Sequence, residues 1–218
     1  QPALVRTSTR SSDLLLVGES ELVDCASFLT SCAGVVLDLA SLPPLNDAEI
    51  EAVLVSISSR MPEDSLVLLR DCVDRVDHLF RLVVELDLDG AVIDAAAPGG
   101  GRAASALPRI GLAARAMNLN EQGRHLMIEL DESPSAEDLL IAVGAGCPVI
   151  VAPPPEEGLE DLLSWLDSTL RGGMRELGVD GLEKVTRRNL RALDYDTAAI
   201  SGLRLVGYDR PLPMWLGN

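Results

Sequence analysis

Six short aliphatic runs recur along the chain and limit what it can fold into. They are DLLLVG (13–18), GVVLDL (34–39), SLVLLRD (65–71), GAVIDA (90–95), HLMIEL (125–130) and PVIVAP (148–153). Runs of this kind, without polar alternation, are typical of parallel strands that are buried on both faces. Connections this short between strands of one sheet indicate right-handed crossovers through helices.

The segments between these runs have the spacing of helices: 45–61, 73–89, 101–120 and 135–146. Asn46 with Glu49, and Ser135 with Asp138, form the start signals of two of them. We therefore predict an α/β fold, a TIM-barrel-like or partial (β/α) barrel of parallel strands. ALVRTS (3–8) is a candidate for a further strand, and an open doubly wound sheet is the alternative.

The pattern changes after the last aliphatic run. Segment 155–178 has the spacing of one long helix, and 179–193 that of a second. We predict that residues 155–218 form a helical C-terminal extension, packed on a barrel-like domain of residues 1–154.

Composition narrows the classes of partner. The net charge of −16 disfavours nucleic acid, which needs a basic surface, and anionic membranes. No apolar run approaches the ~18 residues of a membrane span. For this acidic protein we expect a protein partner or a homo-oligomer, no nucleic acid and no membrane.

The cysteines are Cys25, Cys32, Cys72 and Cys147, and none forms a CxxC pair. Free thiols in a reducing compartment are the ordinary interpretation of such a pattern. The first residues also lack a signal-peptide pattern. We therefore expect a cytoplasmic protein.

Charged residues gather where the predicted strands end, which is where parallel α/β folds bind ligands. Candidate catalytic residues are Arg70, Asp71 and Asp94, and weaker candidates for metal ligands are Asp38, Asp94 and Glu129. Such a group could hold a divalent cation or supply acid–base groups. The alternative is that these carboxylates only cap helices or stay solvated, as in any chain with 34 acidic residues.

The glycine run before segment 101–120 is the candidate cofactor-binding loop. Gly99, Gly100 and Gly101 could present backbone N–H groups to an anion, and Arg102 would add a positive charge. The run has neither the GxxxxGK[ST] nor the GxGxxG spacing, so a flexible turn is the alternative.

Several of these segments follow one another in the order of a known family. SLVLLRD, the helix at 73–88, GAVIDA, PGGGRAASALP and HLMIELDESPSAEDLLIAVGAGCPVIV, with the tail GMRELGVDGLEKVTRRNLRALD, resemble the FMN-binding (synthase) domain of glutamate synthase, a TIM-barrel family. In that family a strand ending in lysine, a strand ending in IDG, a GGTGAAP-type stretch and a glycine-rich phosphate loop surround the flavin. The resemblance covers roughly residues 60 to 205. It implies a barrel fold and, in an intact site, FMN and oxidoreductase chemistry.

The chain departs from that pattern at the flavin site. Arg70 stands where the resemblance implies lysine, and the two are not interchangeable. Glu129, Asp131 and Glu132 stand in the stretch that corresponds to the phosphate loop. Carboxylates close to a phosphate would oppose its binding, and the cysteine cluster of the family's iron–sulfur centre is absent. We therefore expect no cofactor, with FMN as the alternative.

Three hypotheses follow. The first is a degenerate relative, a pseudoenzyme that serves as a non-catalytic subunit or scaffold. The second is an active flavin-dependent oxidoreductase of the glutamate synthase type that holds the phosphate through Gly99–Gly101 and Arg102. The third is an unrelated TIM-barrel enzyme that uses a divalent metal on a small anionic substrate.

Overall fold

The computed structural model describes residues 3–6, 10–95, 103–155, 158–201 and 203–209. Seven parallel strands form one sheet: β1 (Leu4–Val5), β2 (Leu14–Val17), β3 (Gly34–Asp38), β4 (Leu66–Cys72), β5 (Gly90–Asp94), β6 (His125–Glu129) and β7 (Val149–Val151). Each strand pairs with the next one along the chain. The six predicted runs are all strands, and the seventh, β1, comes from ALVRTS.

Helices connect the central strands and extend the C-terminal part. They are α1 (Asp47–Ser58), α2 (Val76–Glu85), α3 (Ala103–Ala116), α4 (Ala136–Ala145), α5 (Leu159–Glu176) and α6 (Tyr195–Ser201). The predicted capping boxes are present, with Asn46 and Glu49 at α1 and with Ser135 and Asp138 at α4. Of the described helices, none is long and apolar enough to cross a membrane.

The order of the strands explains the curvature of the sheet. Right-handed crossovers between strands that are neighbours in sequence place the connecting helices on one face of the sheet. The other face has no helices to cover it, so the sheet curves around that face and buries its side chains inside the barrel. That inner face carries an apolar cluster of Leu16, Val36, Leu68, Val92 and Met127. The ladder runs from β1 to β7 without a described pairing between these two edges. The prediction of a TIM-barrel-like, partial (β/α) barrel is confirmed, and an open doubly wound sheet is wrong.

The main core lies between the sheet and the helices. Helix α2 shows why it forms there, because Val76, Leu79, Phe80 and Val83 recur at helical spacing and are fully buried. At the amino ends the strands approach closely, since a Cβ on Gly90 would lie 1.9 Å from the carbonyl oxygen of His125. Only glycine fits at that position.

The C-terminal part differs from the prediction. Segment 179–193 is not a helix. It contains a short 3₁₀ turn (Leu182–Lys184) and β8 (Arg191–Ala192), which pairs in parallel with β9 (Arg204–Leu205) on either side of α6. The segment before β8 is not helical and packs against helices of the barrel. The side chain of Leu190 lies beside Gly144 of α4, where a Cβ would be only 2.7 Å from Leu190 Cδ1. The division into domains at 154/155 stays a prediction.

Candidate functional site

Four neighbouring strands each carry one charged side chain on the inner face of the barrel, at or near the carboxyl end of the strand. Asp38, Arg70, Asp94 and Glu129 come two residues after Val36, Leu68, Val92 and Met127 of the inner cluster. Because side chains alternate along a strand, the charged residues form the layer directly above the apolar one. The register confirms this neighbourhood, since Asp38 lies opposite Arg70 and Asp94 lies opposite Glu129.

Arg70 is the centre of this group, which we call the mouth network. Its Nε donates to Glu129 Oε2 at 2.6 Å, its Nη1 to Asp38 Oδ1 at 2.9 Å and its Nη2 to Asp94 Oδ2 at 2.9 Å. The Arg70 side chain is 11% exposed and that of Asp38 only 3%. All three guanidinium nitrogens are therefore committed to carboxylates inside the protein.

The electrostatics of the mouth network hold Arg70 in its charged form. Burial by itself would lower the pKa of Arg70, but the hydrogen bond and charge of Glu129, followed by those of Asp38, raise it above its ordinary value. Among the described residues, Arg70 and the more distant Arg6 face Asp38, Asp94 and Glu129, so carboxylates outnumber cations there. A site of this sign repels an anion such as a phosphate.

Arg6 and Cys72 also belong to the mouth and were missed in the sequence. Arg6 Nη2 lies 3.8 Å from Asp38 Oδ2, while its Nη1 pairs with Glu21 at 3.0 Å. Strand β4 continues one residue beyond the predicted run, so Cys72 follows Arg70 on the same face and lies opposite Asp94 in the register. Period-two alternation from Leu68 through Arg70 was the signal for Cys72.

Asp71 is not part of the mouth. It points to the helix side of β4, where it is 1% exposed and accepts hydrogen bonds from the backbone N–H of Cys72 and from Arg75. Burial raises the pKa of Asp71, although the hydrogen bond from Cys72 and the charges of Arg75 and His78 oppose this. The structure thus joins Arg70 to Asp94 and separates Asp71 from both. A catalytic role for these residues stays a prediction.

The loop between β6 and α4 is the stretch that the sequence resemblance relates to the phosphate loop of the glutamate synthase family. Asp131 and Glu132 are exposed in it. The capping box of α4 satisfies two donors at the start of the helix, since Asp138 N–H donates to Ser135 Oγ at 3.1 Å and Ser135 N–H donates to Asp138 Oδ2 at 3.0 Å. The carboxylate of Asp138, which is 4% exposed, already lies at the start of this helix. An anion there would have to compete with it for the positive end of the helix dipole.

The other predicted positions have different outcomes. Gly99, Gly100, Gly101 and Arg102 lie outside the described residues. Within the described part of the chain, no set of three or more His, Cys, Asp or Glu side chains is arranged to hold a metal ion. The weaker metal candidates, Asp38, Asp94 and Glu129, instead converge on a guanidinium.

The histidines lie away from the mouth. His125 begins β6 at the amino end of the barrel, and His78 on α2 lies 3.2 Å from Asp47 through its Nε2.

Comparison with known proteins supports the fold. No family model and no curated protein sequence matches the chain. The crystal structure of DHODH from Eimeria tenella, in complex with ferulenol, is similar to 80% of this chain with a TM-score of 0.60 at 10% identity. A putative dihydrodipicolinate synthetase from Pseudomonas aeruginosa matches 94% of this chain and 70% of its own, with a TM-score of 0.40 at 17% identity. The chain spans about 61% of the DHODH chain.

The likeness to the DHODH structure, at 10% identity, shows the fold alone, which is of the TIM-barrel type.

Proposed function

We propose that this protein is a degenerate relative of the FMN domain of glutamate synthase and works as a non-catalytic subunit or scaffold. The observation that carries the proposal is the mouth network, in which each guanidinium nitrogen of Arg70 donates to one of the carboxylates of Asp38, Asp94 and Glu129. In a flavin or phosphate site, a cation at this position would be free to meet the ligand. In this protein, Arg70 binds the carboxylates of Asp38, Asp94 and Glu129 where it would otherwise meet the ligand.

The same network argues against the two enzymatic alternatives. A flavin phosphate would have to displace a buried carboxylate from Arg70, and the remaining negative charge would repel it. A divalent metal would have to displace Arg70 from carboxylates that already bind it at 2.6 to 2.9 Å. The four cysteines are free thiols, which supports the cytoplasm as the compartment.

Flavin titration of the purified protein tests the proposal. We expect a colourless protein and no saturable FMN binding up to about 100 μM, a concentration that corresponds to roughly 5.5 kcal/mol of binding free energy. Visible flavin absorbance after purification, or micromolar affinity for FMN, would overturn the proposal. A thermal shift of several degrees with Mn²⁺ that EDTA reverses would favour the metal enzyme.

A variant tests the physical reason. Asp38→Asn, Asp94→Asn and Glu129→Gln together keep the shapes of the three side chains and remove the charges that saturate Arg70. We expect this triple variant to gain affinity for inorganic phosphate and FMN relative to the wild type. Asp131→Asn with Glu132→Gln, in the exposed loop, is the matched control and should gain much less.

A further inference from the structure

The outer face of the small C-terminal sheet is an unusual surface for this protein. In β8 and β9, Arg191 lies opposite Arg204 in the parallel register, and Ala192 lies opposite Leu205. Ala192 packs inwards with Ala145, Ala198 and Leu203. Alternation therefore turns Arg191 and Arg204 outwards together.

The next residues on that face are apolar and exposed. The N–H of Val206 donates to the carbonyl oxygen of Ala192 at 2.9 Å, which extends the pairing and brings Leu193 beside Val206. Leu193 is 86% exposed and Val206 53%. Tyr195, the first residue of α6, and Tyr208, in the turn after β9, are also exposed, at 53% and 57%. We call Arg191, Arg204, Leu193, Val206, Tyr195 and Tyr208 the C-terminal patch.

The charge of the C-terminal patch is opposite to that of the protein. The six residues of the C-terminal patch include two arginines and no acidic residue, whereas the whole chain carries −16. Within the described part of the chain, neither Arg191 nor Arg204 has a carboxylate partner; Arg191 donates to the carbonyl oxygens of Arg188 and Leu190. Like charges directly opposite each other in a sheet are destabilising. Arg191 and Arg204 lie side by side at this cost in stability, although the chain is rich in carboxylates that could neutralise them. Their positive charge can therefore act on an anion of another molecule.

We infer that the C-terminal patch docks an acidic segment of a partner protein, in which carboxylates meet Arg191 and Arg204 and apolar side chains cover Leu193 and Val206. The inference deepens the proposed function and rests on it, because a non-catalytic subunit needs a surface for its partner. Paired arginines beside exposed tyrosines and aliphatics have the composition of a protein-binding hot spot.

Other occupants fit less well. Two copies packed through this same face would bring four arginines together, so a symmetric dimer through the C-terminal patch is disfavoured. Nucleic acid would meet the negative field of the remaining chain, which outweighs the local surplus of positive charge.

Fluorescence anisotropy with a defined probe tests the inference. The probe is a labelled peptide of Glu-Ser-Leu-Ser repeats, in which glutamate and leucine lie on one side of an extended chain. We expect the wild type to bind this peptide, with affinity that falls as salt rises, and not to bind the corresponding Lys-Ser-Leu-Ser peptide. Failure of the wild type to bind the glutamate peptide would overturn the inference.

Charge reversal locates the site. Arg191→Glu with Arg204→Glu keeps a like-charge pair in the ladder, so folding should be comparable, and should weaken peptide binding at least tenfold, about 1.4 kcal/mol. Leu193→Ser with Val206→Ser should also weaken binding. Arg171→Glu with Arg175→Glu, which makes the same charge change on α5, is the matched control and should retain binding within twofold. If the melting temperature of the double glutamate variant falls, the glutamine pair at 191 and 204 replaces it.

The remaining outcomes are decisive as well. Equal binding by the patch variants and the control would overturn the inference, as would tighter binding of a single-stranded oligothymidine than of the peptide. Light scattering that shows an oligomer of the wild type, and a monomer of the Arg191→Glu, Arg204→Glu variant, would overturn the inference of a separate partner protein. The patch would then bind an acidic surface of a second copy of this chain. Flavin binding by the wild type would remove the non-catalytic proposal without affecting the peptide result, so the two failures are distinguishable.

Discussion

At the scale of single residues, two charged side chains of β4 show how neighbours in sequence reach opposite environments. Arg70 faces the inner side of the barrel and is surrounded by three carboxylates. Asp71 faces the helices and has one oxygen, Oδ2, without a hydrogen-bond partner in the described part of the chain. The three carboxylates therefore stabilise the charge of Arg70 against the effect of burial, whereas at Asp71 burial dominates and opposes the charge.

Removing the cation of the mouth network should be strongly destabilising. Arg70→Met removes the guanidinium that Asp38, Asp94 and Glu129 share, so we expect the free energy of unfolding to fall by about 3–5 kcal/mol. Urea denaturation measures this loss. Arg171→Met, at an exposed pair on α5, is the control and should change stability by less than about 0.5 kcal/mol. A loss below about 1 kcal/mol for Arg70→Met would contradict a buried network.

Asp71 should make a distinct contribution to the pH dependence of stability. Its folded-state pKa is raised above the ordinary 3.8, so the folded protein binds the proton more tightly than the unfolded chain does. The resulting stability is present at low pH and is lost as the pH rises through the folded-state pKa. Relative to Asp71→Asn, we therefore expect the wild type to lose stability as the pH rises above 3.8 and through the raised folded-state pKa. Parallel stability curves, measured by urea denaturation across that range, would show that the Asp71 carboxyl is not linked to folding.

At the scale of elements, α3 contains a glycine where another segment presses against it. A Cβ on Gly111 would lie 2.7 Å from Nη1 of Arg187. Both Nη atoms of Arg187 are buried without a hydrogen-bond partner in the described residues. Burial, together with the charge of Arg115, lowers the pKa of Arg187 to about 10. Glycine at position 111 is a poorer helix former than alanine, but it leaves room for the guanidinium of Arg187.

Substitutions in this contact should therefore depend on each other. Arg187→Met removes the buried charge and should stabilise the protein by about 1–3 kcal/mol. Gly111→Ala alone should destabilise it by steric overlap with Arg187. Combined with Arg187→Met, the same alanine should become favourable by up to about 1 kcal/mol through helix propensity. A double-mutant cycle by thermal denaturation measures the coupling, and additive effects would place Arg187 away from α3.

At the scale of the whole molecule, charge is distributed unevenly. The chain carries −16, the barrel mouth has more carboxylates than cations, and the C-terminal patch is basic. Self-repulsion of this size opposes the compact state, and salt screens it.

We therefore expect 0.5 M NaCl, where the Debye length is roughly 4–5 Å, to raise the melting temperature at neutral pH. Because buried pairs are screened less than exposed ones, the mouth network should survive this salt concentration. KCl serves as a control for ion-specific effects. A lower melting temperature in both salts would mean that exposed ion pairs outweigh the net repulsion.

Local sequence patterns were sufficient to predict the order and type of the elements of the barrel. Strands buried on both faces must be continuously aliphatic, and capping residues such as Asn46 act on their own helix, so both signals are local. The tertiary structure alone decided which charges meet. Arg70 and Glu129 are 59 residues apart, and only strand register and barrel curvature bring them within a hydrogen bond. The same limit explains the error at 179–193, where packing against α3 and α4 replaced a locally favourable helix. Local pattern determines elements, but contacts between distant residues depend on how those elements pack.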